Sequence, residues 1–134
     1  MGQEIYPCET KTITGFVSQV VKYVQSGHFM YVRCLVPKRK DPKAVDQKIL
    51  SLYDIERPRW RRERRNLKGS AGIHYLRHDN LFVIMVSKGR HDAFYDDHGE
   101  AAQDIRRTAL KAFGYSIRYT YSREEKRYRM FVRL

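Results

Sequence analysis

Six consecutive apolar residues, Leu81-Phe82-Val83-Ile84-Met85-Val86, do most to limit the architectures open to this chain. Successive side chains of a strand point to opposite faces, so a run without a polar position belongs at the centre of a sheet. Asp79-Asn80 tolerate the backbone of a two-residue turn and join this run to a partner strand, Ile73 to His78.

The flanking segments supply further elements. Phe16, Val17, Val20, Val21 and Val24 recur at helical spacing between Thr12 and Gln25, with Thr12 or Thr14 as cap and Ser26-Gly27 as the stop. His28 to Val36 reads as a strand with Met30, Val32, Cys34 and Val36 on one face and Phe29, Tyr31 and Arg33 on the other. Asp41-Pro42 provide a cap and a first-turn proline for a second helix carrying Val45, Ile49 and Leu52, closing by Ile55. A third helix is expected from Glu100 to Phe113, with Ala101, Ala102, Ile105, Ala109 and Phe113 inward and Gly114 as its terminator. The chain then forms a hairpin, Tyr115 to Tyr121 and Arg127 to Leu134, turning through Arg123-Glu124-Glu125-Lys126.

This order predicts an α+β fold, a ferredoxin-like split βαβ sandwich with about five mostly antiparallel strands and an additional N-terminal helix. With 134 residues, 42% of them hydrophobic, one domain over 1–134 is expected. The sheet face away from the second and third helices then gathers Phe29, Tyr31, Arg33, Tyr75, Arg77, Arg118, Arg129, Phe131 and Arg133. Left open, that face is a platform of aromatics and arginines for a single strand. Two competing arrangements remain: the first helix rests on it and makes Phe29, Tyr31 and Phe131 core residues, or that helix packs against a second copy in a homodimer.

Charge narrows the choice of partners. The formal excess is +12, and the sequence pI is near 9.9. Residues 57–68 hold seven basic side chains, Arg57, Arg59, Arg61, Arg62, Arg64, Arg65 and Lys68, against the single acid Glu63, around the only tryptophan, Trp60. Clustered like charges repel unless a polyanion neutralises them, and guanidinium forks match phosphate oxygens while an indole stacks on a base. The expected partner is RNA or DNA, single-stranded slightly preferred, with Arg77, Arg118, Arg129 and Arg133 adding to the contact. An acidic protein partner is the structural alternative.

No segment approaches the ~20 apolar residues needed to cross a bilayer, and Met1 to Cys8 lack a basic region followed by a long apolar one. Cys8 and Cys34 form no disulfide framework. An intracellular location, cytoplasmic or nucleoid-associated, is expected.

Catalysis is the other alternative, as a metal-dependent nuclease or transposase-like nicking domain. His91-Asp92-Ala93-Phe94-Tyr95-Asp96-Asp97-His98 place two histidines and three carboxylates in eight residues. With His74 and His78, the residues His91, Asp92 and Asp96 form the candidate set for Mg²⁺ or Mn²⁺; without it no cofactor is expected. His74 and His78 stand two strand repeats apart, roughly 13 Å, too far to grip one ion unless the strand bends. The strand order resembles that of enzymes that nick single-stranded DNA, which use two histidines separated by one residue and a helical tyrosine. Here His74-Tyr75-Leu76-Arg77-His78 interposes three residues, the expected third helix lacks a tyrosine, and Tyr23 is the helical candidate.

Overall fold

The computed structural model describes residues 8–53, 55, 72–89 and 91–134. Helix α1, Ile13–Gln25, starts where the Thr12 hydroxyl accepts from the Gly15 amide at 2.9 Å, an N-cap worth ~1 kcal/mol. Its buried stripe is Phe16, Val17, Val20 and Val24. Helix α2, Pro42–Leu52, is capped by Asp41, whose carboxylate accepts from the Lys43 amide, and buries Asp46 and Leu50. Helix α3, Asp92–His98, buries Phe94.

The first sheet runs in the order β2-β3-β1-β4, all pairs antiparallel. Its strands are β1 (Met30–Leu35), β2 (Ile73–His78), β3 (Leu81–Val86) and the two-residue β4 (Gln103–Asp104). All six residues of β3 are buried, because β1 and β2 flank it in full register and both sheet faces are covered. On one face, Val32, Tyr75, Phe82, Ile84 and Val86 pack with Leu50 of α2, Tyr53, Ile55 and Phe94 of α3. On the other, Tyr31, Leu76, Leu81, Val83 and Met85 meet Phe16, Val17, Val20 and Val24 of α1. Each large aliphatic side chain closed off in this way contributes roughly 1.5–3 kcal/mol before the entropy of ordering it is counted.

A second antiparallel sheet joins the α1 side, in the order β5-β6-β7: β5 (Leu110–Ala112), β6 (Tyr115–Ser122) and β7 (Arg127–Arg133). It contributes Leu110, Ala112 and Ile117 to the core beneath α1. The expected ferredoxin-like sandwich with one five-stranded sheet is therefore corrected to three helices and two separate sheets of four and three strands among the described residues. The C-terminal hairpin forms as expected but pairs with β5 and leaves the first sheet without its long strands.

The expected helix over Glu100 to Phe113 is absent from these described residues. Asp104 accepts from the Arg106 amide through its side chain at 2.9 Å and from the Thr108 amide through its carbonyl at 2.8 Å. A local side-chain bond of this kind offers the backbone an alternative to the helix. The Tyr31 hydroxyl also donates toward the carbonyls of Thr108 and Ala109 at 3.1 Å, fixing the turn that leads into β5. Phe113 and Gly114, expected as a helix end, form the β5–β6 turn with φ of 53° and 84°. Among the described residues the third helix instead starts eight residues earlier, at Asp92, over the segment read from sequence as a source of metal ligands.

At the open side of β2 the chain supplies one more pairing. Glu9 bridges Arg77 in parallel, with the Arg77 amide donating to the Cys8 carbonyl and the Thr10 amide to the Arg77 carbonyl.

Candidate nucleic-acid interface

Strand alternation gives the second sheet two chemically distinct faces. Ile117 is buried against α1, and its register partner is Val132, so Tyr119, Tyr121, Tyr128 and Met130 share that side. The opposite side carries Lys111 of β5, Arg118 of β6 and Arg127, Arg129, Phe131 and Arg133 of β7. All five cations are exposed. Arg118 pairs directly with Phe131 across the strands, and the Arg118 and Arg129 guanidinium carbons lie 6.0 and 5.6 Å from the Phe131 ring centroid.

The hairpin turn tempers this charge. Glu125 accepts from Arg127 at 3.2 Å and from Arg129 at 2.8 Å. Lys111, Arg118 and Arg133 have no ion-pair partner among the described residues. Exposed pairs such as those of Glu125 contribute little stability, so an incoming polyanion can compete for both arginines.

The predicted residues divide into distinct locations. Arg118, Arg129 and Arg133 come together on the outer face, whereas Arg57, Arg59, Trp60, Arg61, Arg62, Arg64, Arg65 and Lys68 lie outside the described residues. Tyr75 and Arg77 fall on the α2 side of the first sheet, opposite Tyr31 and Arg33, because Tyr75 pairs with Ile84, which in turn pairs with Val32. Arg77 is only 3% exposed. Its guanidinium donates to both Asp46 oxygens, to Glu9 and to the Asp79 carbonyl, which withdraws it from phosphate contact. Hydrogen bonding to Asp46, opposed in part by burial, drives its pKa still higher. Tyr75 donates its hydroxyl to the same carboxylate, and burial and that bond push its phenol well above the ordinary range.

Phe29 and Tyr31 are packing residues beneath α1 and the second sheet. Phe131, on the far side of that sheet, stays clear of this layer. Lys111 and Arg127 belong to the basic face but escaped the sequence reading. Hairpin alternation marks Arg127, while the misplaced helix concealed Lys111.

The expected metal set is dispersed. His74 and His78 face the α1 side of β2, in register with Met85 and Leu81. His74 stacks on Tyr23 with centroids 4.1 Å apart and lies 4.7 Å from the His28 ring. His28 is buried and directs Nδ1 to the Tyr23 carbonyl at 3.2 Å. His78 instead places Nδ1 2.9 Å from the Thr10 carbonyl. His91 caps α3 by accepting from the Phe94 amide through Nδ1, and its ring meets Tyr53 in the opposite core layer. Asp92 and Asp96 sit on that same short helix, with Asp96 exposed. His74 and His78 thus belong to one face of the sheet and His91, Asp92 and Asp96 to the other. No group of three or more metal-binding side chains converges among the described residues. The set does not provide the common centre needed for Mg²⁺ or Mn²⁺.

Cys8 and Cys34 are free, as no disulfide joins them. Burial, with Asp46 adding to it, pushes the Cys8 thiol up to about 11, keeping it protonated and poorly nucleophilic at neutral pH. Among the described residues, no helix is long and apolar enough to cross a membrane. No protein-family model matches the chain, and no curated protein or solved structure shows significant similarity to it.

Proposed function

We propose that this chain binds polynucleotides through their phosphate backbone, using the outer face of the second sheet. The observation that carries this reading is five exposed cations, Lys111, Arg118, Arg127, Arg129 and Arg133, on one face around Phe131. A rigid three-stranded sheet holds them at fixed spacings, and strand residues two apart repeat at roughly 6.6 Å, close to the separation of successive phosphates in an extended strand. The basic run at 57–68 supports the same reading from sequence, since its six net charges add to an already cationic molecule.

Binding here is chiefly electrostatic and makes no use of base sequence. The nuclease alternative drew on His74, His78, His91, Asp92 and Asp96, which divide between the two faces of the first sheet, whereas the basic face gathers its cations on one side. An intracellular location, cytoplasmic or nucleoid-associated, accords with such a ligand.

Fluorescence anisotropy with short single- and double-stranded RNA and DNA across a series of salt concentrations tests the proposal. Affinity should fall steeply and linearly on a log–log plot as counterion release weakens. Salt-independent binding, or preference for an acidic protein over every polynucleotide, would overturn it.

A further inference from the structure

The opposite face of the same hairpin carries a second feature. Tyr121 and Tyr128 form a cross-strand pair near the turn, 54% and 47% exposed. Their rings continue an ordered series toward the core. Tyr121 meets Tyr128 edge-on at 5.6 Å, and Tyr128 stacks on Tyr119 at 5.3 Å with planes 28° apart. Tyr119 stacks on Phe29 at 5.3 Å, and Arg106 covers Phe29 with its guanidinium carbon 4.6 Å from the centroid. The inner members are packed against the buried cluster, whereas the outer two rings protrude from it.

We infer that Tyr121 and Tyr128 form a stacking site for an unpaired base of a single-stranded polynucleotide whose phosphates follow the basic face. This inference rests on the proposed polynucleotide binding and adds the selection of an unpaired strand. Strand β7 is the outer strand of its sheet among the described residues. Along it, Arg127, Arg129 and Arg133 point to one side, and Tyr128, Met130 and Val132 belong to the other. A nucleotide carries its phosphate and base on different sides of the sugar, so a strand following this edge presents anions to arginines and a planar base to tyrosines. A duplex keeps its bases stacked within the helix and cannot supply that plane without extrusion.

The rings suit the task physically. Aromatic side chains have few rotatable bonds, and packing of Tyr128 on Tyr119 reduces the ordering that binding requires. Stacking tolerates every base because each has a π face. The charges beside the rings also discriminate between occupants: a second copy laid against this edge would bring Arg127, Arg129 and Arg133 toward their counterparts, whereas a polyanion neutralises them.

The test compares full-length protein binding to a fluorescent single strand and to an abasic sugar-phosphate strand of equal length. The base-bearing strand should bind about tenfold or more tightly, because base stacking is absent from the abasic one. Tyr121→Leu and Tyr128→Leu should each reduce that preference severalfold, while Tyr128→Phe, which retains the ring, keeps it. Thermal melting of Tyr121→Leu should match the parent, since this side chain is more than half exposed.

Equal, salt-dependent binding of both strands overturns the stacking inference and leaves phosphate binding intact. Failure to bind either strand overturns both. Leucine variants that lose affinity equally for the two strands, or that change the oligomeric state, assign the rings to the fold or to a contact between copies and also overturn the inference.

Discussion

Asp46 of α2 accepts from the Arg77 Nε at 2.7 Å and from its Nη2 at 2.9 Å, with both residues nearly closed to solvent. This pair joins α2 to β2, and Tyr75 completes the same carboxylate. Asp46→Ala should lower unfolding free energy by about 3–5 kcal/mol, since it leaves a buried guanidinium without its principal anion. Urea denaturation measures the loss. Arg77→Met combined with Asp46→Leu should recover part of it by removing both charges, a non-additivity that a double-mutant cycle detects.

Burial lowers the pKa of His28, with its hydrogen bond to the Tyr23 carbonyl opposing that shift. Below about pH 6.5 the unfolded chain takes up an imidazole proton that the folded chain resists. The stability contribution of this group is therefore present above the unfolded value and lost as pH falls through the lower folded value. Unfolding free energy should decrease between pH 7.5 and pH 5, and His28→Gln should show a shallower decrease in urea titrations performed at each pH.

Phe113 occupies the left-handed region at the β5–β6 turn, a conformation that L side chains resist by roughly 1–2 kcal/mol. Its ring compensates by meeting Phe16 at 5.4 Å and His78 at 5.1 Å, each edge-on. Phe113→Ala loses those contacts and keeps the backbone strain, whereas Phe113→Gly loses the contacts and relieves it. Glycine should consequently be no less stable than alanine here, reversing their usual order, as compared by denaturation midpoints.

Replacing Arg118, Arg129 and Arg133 together by Gln should weaken binding across oligonucleotide sequences. The slope of log affinity against log salt should shrink by about one for each phosphate contact removed. The sequence-derived counterpart, Arg61, Arg62, Arg64 and Arg65 to Ala, should reduce the slope independently if both regions meet the strand. An unchanged slope in the sheet variant, with its melting temperature retained, removes this face from the interface.

Trp60→Ala tests the stacking expectation drawn from the basic run. Single-strand affinity should fall by ~1–3 kcal/mol with little change in melting temperature. A large fall in melting temperature instead assigns the indole to packing.

Elements governed by local chemistry were legible. Thr12 and Asp41 cap the two helices expected of them, and Asp79, with φ of 52°, begins the tight connection anticipated between β2 and β3. The all-apolar β3 likewise occupies an interior position. The third helix was misread because Ala101, Ala102, Ile105 and Ala109 fit a helical stripe, while the tertiary bonds from Tyr31 that hold the following turn have no local signature. Hairpin alternation revealed part of the basic face, through Arg118, Arg129 and Arg133. It could not reveal that Arg77 belongs to a different sheet face, since its buried partner Asp46 lies 31 residues away.

The short bridge from Cys8 and Glu9 to β2 sets a practical limit on trimming this protein. Removing the chain through Thr10 would uncover backbone donors and acceptors along β2 and take Glu9 from a buried arginine. The shortened product would present a bare template to other strands, so its failure would be expected as concentration-dependent precipitation during purification, even with both hydrophobic layers otherwise complete.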